Sequence, residues 1–225
     1  FYFEELDRVA DALSELQRAG VVVLLNPLAE ITANWFWWGD AESPGKCRRL
    51  YRATVEHLVH KRGLNNLLFV FEPYSGSRNP ADYYPGDDCV DVVGISCFTP
   101  WNEALTPASI PAYPQLRALG KPLALSQWGP RRGADQVGRD EPPGDNRKLI
   151  EGVRRHFPEI VWWMNWNYAY ALAAPADGNT HARELLADPW VANREDLVWR
   201  QLLPRAPVST RNHGPPPHPG RSVQP

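Results

Sequence analysis

The sequence predicts an α/β fold built on a parallel sheet, and two observations support that prediction. Short apolar runs alternate along the chain with segments in which apolar residues recur at helical spacing. The apolar runs are continuous rather than alternating, as expected for strands that are covered on both faces. With 225 residues, the chain is long enough to form one large domain around such a sheet.

Five apolar runs give the predicted strands, and helical segments separate most of them. The runs include "VVVLLN" near the start of the chain and "IVWWMNW" near its end. Strands that alternate with helices in this way are typical of a parallel sheet. The predicted strands are residues 21–26, 67–71, 90–98, 122–126 and 160–166.

Helices are predicted where apolar residues fall on one side of a helical repeat. Gly20 and Gly63 follow the first two helices, whereas Pro111 and Pro114 interrupt the third and make it short. The predicted helices are residues 6–16, 47–61, 110–119, 146–156, 180–186 and 194–203. These elements define a domain over residues 1–203, and the polar, proline-rich residues 204–225 are predicted to be a disordered tail.

Composition argues against several classes of function. A net charge of −2 with 22% charged residues gives no electrostatic footprint for nucleic acid or an anionic membrane. No apolar run reaches the roughly 18 to 20 residues that span a bilayer. The histidines and cysteines show no metal-ligand spacing, so we expect neither a metal nor a cofactor. The first residues lack signal-peptide features and an initiator methionine, which suggests a processed product or a fragment and leaves the compartment open.

Aromatic side chains collect where the predicted strands end, which is where parallel α/β folds place their functional groups. In "NPLAEITANWFWWGD", Glu30 precedes the run Trp35-Phe36-Trp37-Trp38. The ten tryptophans of the chain could build an unusually aromatic core, or walls on which pyranose rings stack. No glycine-rich phosphate loop follows any strand, so the strand ends favour a carbohydrate cleft over a nucleotide site.

Five motifs, in order, resemble those of glycoside hydrolase family 26, the β-mannanase family with a (β/α)8 TIM barrel. "PLAEITANWFWWG" is similar to the family's motif after the fourth barrel strand, and "NNLLFVFEP" to its fifth strand. "YYPGDDCVDVVGIS", "KPLALSQWG" and "VWWMNWN" resemble the sixth, seventh and eighth strands. The resemblance implies an incomplete barrel with strands four to eight, endo-hydrolysis of β-1,4-mannan with retention, a mannan-type polysaccharide as ligand and an extracellular location.

The resemblance also assigns roles to individual residues. Glu30 stands at the position of the acid/base glutamate, one of the two carboxylates of a retaining glycosidase. Trp35 and Trp166 stand where tryptophans line the family's substrate cleft. Trp101 and Trp128 are candidates for the cleft edge because of their positions just after predicted strands.

The departures from the family pattern concern the second catalytic group. The nucleophile position holds Gln127, and a neutral amide cannot form the glycosyl-enzyme ester. Ala29 replaces a histidine and Ser96 replaces an aspartate. Phe98, a candidate for contact with substrate, replaces the tyrosine that hydrogen-bonds the nucleophile. Because the partners of the nucleophile are lost with it, the chain is predicted to be inactive or impaired in double displacement.

Two other functions stay open on the sequence alone. Glu72 follows the second strand and could act as a base that activates water, provided its carboxyl lay about 6.5 to 9.5 Å from that of Glu30. Alternatively, the chain is a non-catalytic glycan-binding module, or a truncated product without function. Five strands cannot close a barrel, so the strand at 21–26 is expected to present an exposed edge that could pair with another chain.

Overall fold

A computed structural model of the chain shows one five-stranded parallel sheet in which each strand pairs with the next strand in sequence. The structure describes residues 1–100, 102–131, 144–167, 170–172 and 179–197. The sheet curls into half of a (β/α)8 barrel, as the resemblance implied. Strands β1 to β5 are Val23–Leu25, Leu67–Phe71, Val92–Pro100, Leu123–Arg131 and Ile160–Asn165.

Helices cover the convex face of this sheet and form the main core with it. In the first helix, Leu6, Ala10 and Leu13 are buried, and their spacing of three and four residues places them on one side. The second helix continues directly into a π-helical turn at His57–Lys61. Helices α1 to α5 are Tyr2–Arg18, Pro44–Glu56, Tyr113–Arg117, Arg147–His156 and Ala182–Leu186.

The concave face of the sheet carries a second, smaller apolar layer. Side chains two positions apart share a face of a strand, so Leu68 and Val70 of β2 both point to this side. Val70, Val92 and Ala124 are buried here beneath Trp162. Towards the β1 edge the layer opens to solvent: Leu24 is 49% exposed, and its register partner Leu68 is 38% exposed.

A β-bulge in β4 and a glycine in β3 shape the carboxyl-terminal end of the concave face. Between Gly94 and Ser96, β3 advances by two residues while β4 advances from Ala124 to Gln127, so β4 carries one extra residue. Gly94 lies beneath this bulge: a Cβ added there would come within 2.2 Å of the Ser126 hydroxyl oxygen. The bulge and the glycine together allow side chains of β4 to reach across β3 towards β2.

The predicted elements are confirmed in position, with shifts at their ends. Strand β1 is shorter than predicted, whereas β3 and β4 continue past the predicted ends to Pro100 and Arg131. The predicted helix at 194–203 is wrong in its first residues, which form the 3₁₀ turn Arg194–Asp196, and its remainder from 198 lies outside the described residues together with the 204–225 tail. Among the helices that the structure describes, none is long and apolar enough to cross a membrane.

Candidate active site

Glu30 lies immediately after β1 at the carboxyl end of the sheet, and its carboxylate is held from two sides. The side chain is only 8% exposed. The indole Nε1 of Trp35 donates a hydrogen bond to Oε2 over 2.6 Å, and the hydroxyl of Ser96 in β3 donates to Oε1. The backbone of Glu30 has a φ of 52°, a left-handed conformation that is uncommon for residues other than glycine. The carboxylate is therefore fixed in one orientation by its neighbours.

The aromatic run after Glu30 forms a loop whose rings pack on one another. Phe36 and Trp38 are stacked with their centroids 4.6 Å apart, and Trp37 meets Trp38 edge-on at 5.5 Å. The indole of Trp38 donates to the carbonyl of Ala29 over 2.8 Å, which ties the loop back to the residue before Glu30. Trp35, in contrast, is 57% exposed, so one of its faces is open to a ligand.

Tyr74, in the segment after β2, packs beside Trp35, and these two rings are called the aromatic wall. Its ring meets Trp35 edge-on with the centroids 5.0 Å apart. Trp35 and Tyr74 also line a cavity of about 540 Å³ with Asn34, Arg78 and Asp82. Exposed aromatic faces beside hydrogen-bonding side chains are the combination that a sugar ring requires.

Glu72, the second carboxylate, lies at the end of β2 and is completely buried. The hydroxyl of Ser126 donates to its Oε2, and the amide Nε2 of Gln127 donates to its Oε1 over 2.7 Å. Burial raises the pKa of the Glu72 carboxyl above its ordinary value and the charge of Glu30 acts in the same direction, while hydrogen bonds from Ser126 and Asn26 oppose the shift. A base that activates water needs a free oxygen that water can reach, and this geometry does not suit Glu72 to that role.

Gln127 occupies the predicted nucleophile position in the β4 bulge and is 9% exposed. Its register partner in β3 is Ser96, the residue that donates to Glu30. Glu30, Ser96, Gln127 and Glu72 therefore form a row of polar side chains across the carboxyl ends of neighbouring strands. Ordinary strand alternation would send Ser126 and Gln127 to opposite faces, and the bulge is the reason that both reach Glu72.

The remaining predicted site residues divide into three groups. Trp166, 42% exposed, and Phe98, whose ring lies 4.9 Å from that of Tyr170, are at the same end of the sheet as Glu30. Trp128 was predicted at the cleft edge, and this is wrong: it is 1% exposed and belongs to the main core, because the bulge turns it away from the open face. Trp101 lies outside the described residues.

Sequence reasoning missed two groups that hydrogen-bond to the Glu72 carboxyl. Ser126 and Asn26 were not singled out, because a serine inside an apolar strand and an asparagine at its end carry no distinctive motif. The signal that could have found Ser126 is the pair of polar residues that interrupts the apolar run "PLAL". In the part of the chain that the structure describes, no group of three His, Cys, Asp or Glu side chains is arranged to hold a metal ion.

Comparison with known proteins identifies the family of the chain. The sequence pattern of the family described as glycosyl hydrolase family 26 matches residues 2–196. The chain belongs to glycosyl hydrolase family 26. A mannan endo-1,4-beta-mannosidase of Bacillus subtilis strain 168 is 31% identical over 199 residues, which are 85% of this chain and 51% of that relative. One from Thermothelomyces thermophilus is 37% identical over 162 residues, or 72% of this chain and 29% of the relative.

Solved structures place the fold in family 26 as well. The Bacillus subtilis mannanase BCman superposes with a TM-score of 0.71 at 31% identity, over 84% of this chain and 53% of that protein. The chain thus spans about half the length of the Bacillus subtilis relatives that it matches. The β-mannanase resemblance that the motifs indicated is confirmed at the level of the family and of the barrel fold.

Proposed function

We propose that this chain binds β-1,4-linked mannan through the aromatic wall around Glu30 and does not hydrolyse it by conventional double displacement. The family 26 relatives carry the name mannan endo-1,4-beta-mannosidase, which supports a mannan-type ligand. The observation that carries the second half of the proposal is the amide of Gln127, which the motif resemblance assigns to the attacking position and which donates a hydrogen bond to buried Glu72.

The chemistry of a retaining glycosidase needs one carboxyl that protonates the leaving oxygen and one that attacks the anomeric carbon. Glu30 fits the first role, since Trp35 and Ser96 hold its carboxylate at the carboxyl end of the sheet. The second role has no fitting group among the described residues of the site. Gln127 is a neutral amide, and Glu72 is buried with both oxygens bonded. Among the residues that the structure describes, the acid therefore has no nucleophilic partner.

A hydrolysis assay tests the catalytic half of this proposal. Reducing sugar released from mannan is expected to stay at the background level for the unmodified chain and for Glu30→Ala alike. Release by the unmodified chain that disappears in Glu30→Ala would overturn the proposal, because it would show that Glu30 still works in catalysis. Glu42→Ala, which removes an exposed carboxylate of the segment before α2, is the matched control.

Trp35→Ala is expected to weaken binding of mannohexaose about tenfold, which corresponds to roughly 1.4 kcal/mol, because the exposed indole face supplies a stacking surface. Titration followed by tryptophan fluorescence or calorimetry measures the affinity. Trp190→Ala removes an equally exposed tryptophan that packs on Arg154, away from Glu30, and is expected to leave the affinity unchanged. Equal affinities for Trp35→Ala and the unmodified chain would contradict the proposed wall.

We also propose that the β1 edge lets the chain pair with another copy. Strand β1 ends the sheet, and Val22 and Leu24 are 61% and 49% exposed there. Leu24→Lys is expected to lower the mean mass seen by light scattering, because a charged edge resists pairing. Val161→Lys is the matched control, because Val161 lies on β5 at the opposite edge and is 65% exposed. A mass that is unaffected by Leu24→Lys would count against pairing through β1.

A further inference from the structure

The contact between Glu72 and Gln127 joins the end of β2 to the bulge of β4. The Gln127 amide nitrogen lies 2.7 Å from Oε1 of Glu72, and both side chains are buried. An amide is a donor and acceptor of nearly the same shape as a carboxylate, so the two side chains could exchange places without a change in volume. The pair thus holds one carboxylate and one amide in direct contact.

The surroundings of Glu72 leave no room for a second negative charge. Ser126 of β4, Asn26 of the β1 end and the backbone amide of Glu30 donate its other hydrogen bonds, and all three donors are neutral. Glu30 is the charged group whose field reaches it, and that field is already repulsive. Two carboxylates at hydrogen-bond distance in such a site cannot both ionise and must share a proton.

We propose that Glu72 and Gln127 are a coupled carboxylate–amide pair, in which Glu72 is a positioning residue that excludes an ionised carboxylate from position 127. The proposal rests on the proposed function in one respect, the assignment of position 127 as the attacking position. It implies that Gln127→Glu alone does not restore a usable nucleophile. A carboxylate at 127 becomes compatible with the site only when Glu72→Gln is made with it, since the new amide then donates across the same gap.

Four proteins test the pair: the unmodified chain, Glu72→Gln, Gln127→Glu and the double variant E72Q/Q127E. Thermal unfolding midpoints are measured between pH 4.5 and pH 8. The pKa of Glu72 is raised by folding, so its contribution favours the folded state at low pH and is lost as the pH rises through the folded value. Glu72→Gln is therefore expected to gain stability relative to the unmodified chain as the pH rises.

Gln127→Glu is expected to unfold about 5 °C lower than the unmodified chain at pH 8 and to recover most of that loss near pH 4.5, where one carboxyl is protonated. The double variant is expected to recover most of the loss at pH 8 as well. Additive effects of the two substitutions at pH 8 would overturn the pair, as would a Gln127→Glu midpoint that follows the same pH profile as the unmodified chain. A merely structural role for Glu72 predicts such additivity.

Circular dichroism shows which variants fold. If Gln127→Glu is unfolded at pH 8 while the double variant is folded, the pair is supported directly. If both are unfolded at every pH, the coupled pair is refuted, because an amide at 72 beside a carboxylate at 127 was expected to fit. Mannohexaose binding by the unmodified chain is measured in parallel: its absence would overturn the proposed function and leave the unfolding comparison intact, whereas additive unfolding effects with normal binding would overturn only the pair.

Discussion

Trp128→Ala is expected to reduce the free energy of unfolding by about 3 to 5 kcal/mol, the largest effect of any single substitution considered for this chain. The indole is 1% exposed and packs in the main core between the sheet and its helices. Its removal leaves a large cavity that the surrounding strands cannot close, because the backbone carbonyl of Trp128 also accepts a hydrogen bond from the amide of Trp166 over 2.8 Å. Denaturant unfolding followed by circular dichroism measures the loss.

Two further variants show whether burial is the cause. Trp128→Phe keeps most of the ring volume and removes an indole nitrogen that has no hydrogen-bond partner among the described residues, so it is expected to cost much less than Trp128→Ala. Trp190→Ala removes a tryptophan that is 53% exposed and is expected to cost less than about 1 kcal/mol. A Trp128→Ala protein as stable as Trp190→Ala would show that Trp128 is not a core residue.

Gly94→Ala is expected to destabilise the fold by about 2 to 3 kcal/mol through overpacking and a broken hydrogen bond. The added methyl group would lie 2.2 Å from the Ser126 hydroxyl oxygen and 2.8 Å from a methyl group of Val70. Rotation of the Ser126 side chain would relieve the contact with its hydroxyl but not the contact at 2.7 Å with its Cβ. A rotated Ser126 would also no longer donate to Glu72, whose buried oxygen would lose a partner. The same unfolding measurement gives the difference.

Gly45→Ala is the matched control for this substitution. Gly45 lies in α2, where an added Cβ meets the far ends of two flexible side chains, those of Arg49 at 3.5 Å and Arg48 at 3.9 Å. Alanine in a helix is expected to be neutral or to stabilise by about 0.5 to 1 kcal/mol. If Gly94→Ala matched Gly45→Ala in stability, the close approach of Ser126 over β3 would be refuted.

Much of the fold could be predicted from the sequence, because continuous apolar runs identify strands that are covered on both faces. The positions of β2 and β5 and the alternation of strands with helices follow from that pattern alone. The ends of β3 and β4 could not be predicted in the same way. They continue through polar residues such as Thr99 and Gln127, whose backbone pairing depends on the neighbouring strand and not on local propensity.

The candidate site could be predicted in its members but not in its contacts. The family resemblance singled out Gln127, and position after a strand singled out Glu30 and Glu72, because parallel strands collect their carboxyl ends at one edge. Position after a strand was misleading for Trp128, since the same rule assumes a regular strand and the β4 bulge shifts every later side chain by one position. A bulge leaves no reliable mark in a single sequence, so the Glu72 contacts could not be foreseen.

The self-packed aromatic loop has a consequence for how a glycan would be held. Because the stacked rings of Phe36 and Trp38 and the bond from Trp38 to Ala29 already fix the loop, the conformational entropy of ordering it is lost during folding and not during binding. Trp35 therefore starts from a rigid platform. Substitutions that loosen the loop, such as Trp38→Leu, are expected to lower the affinity for the sugar although they remove no contact with it.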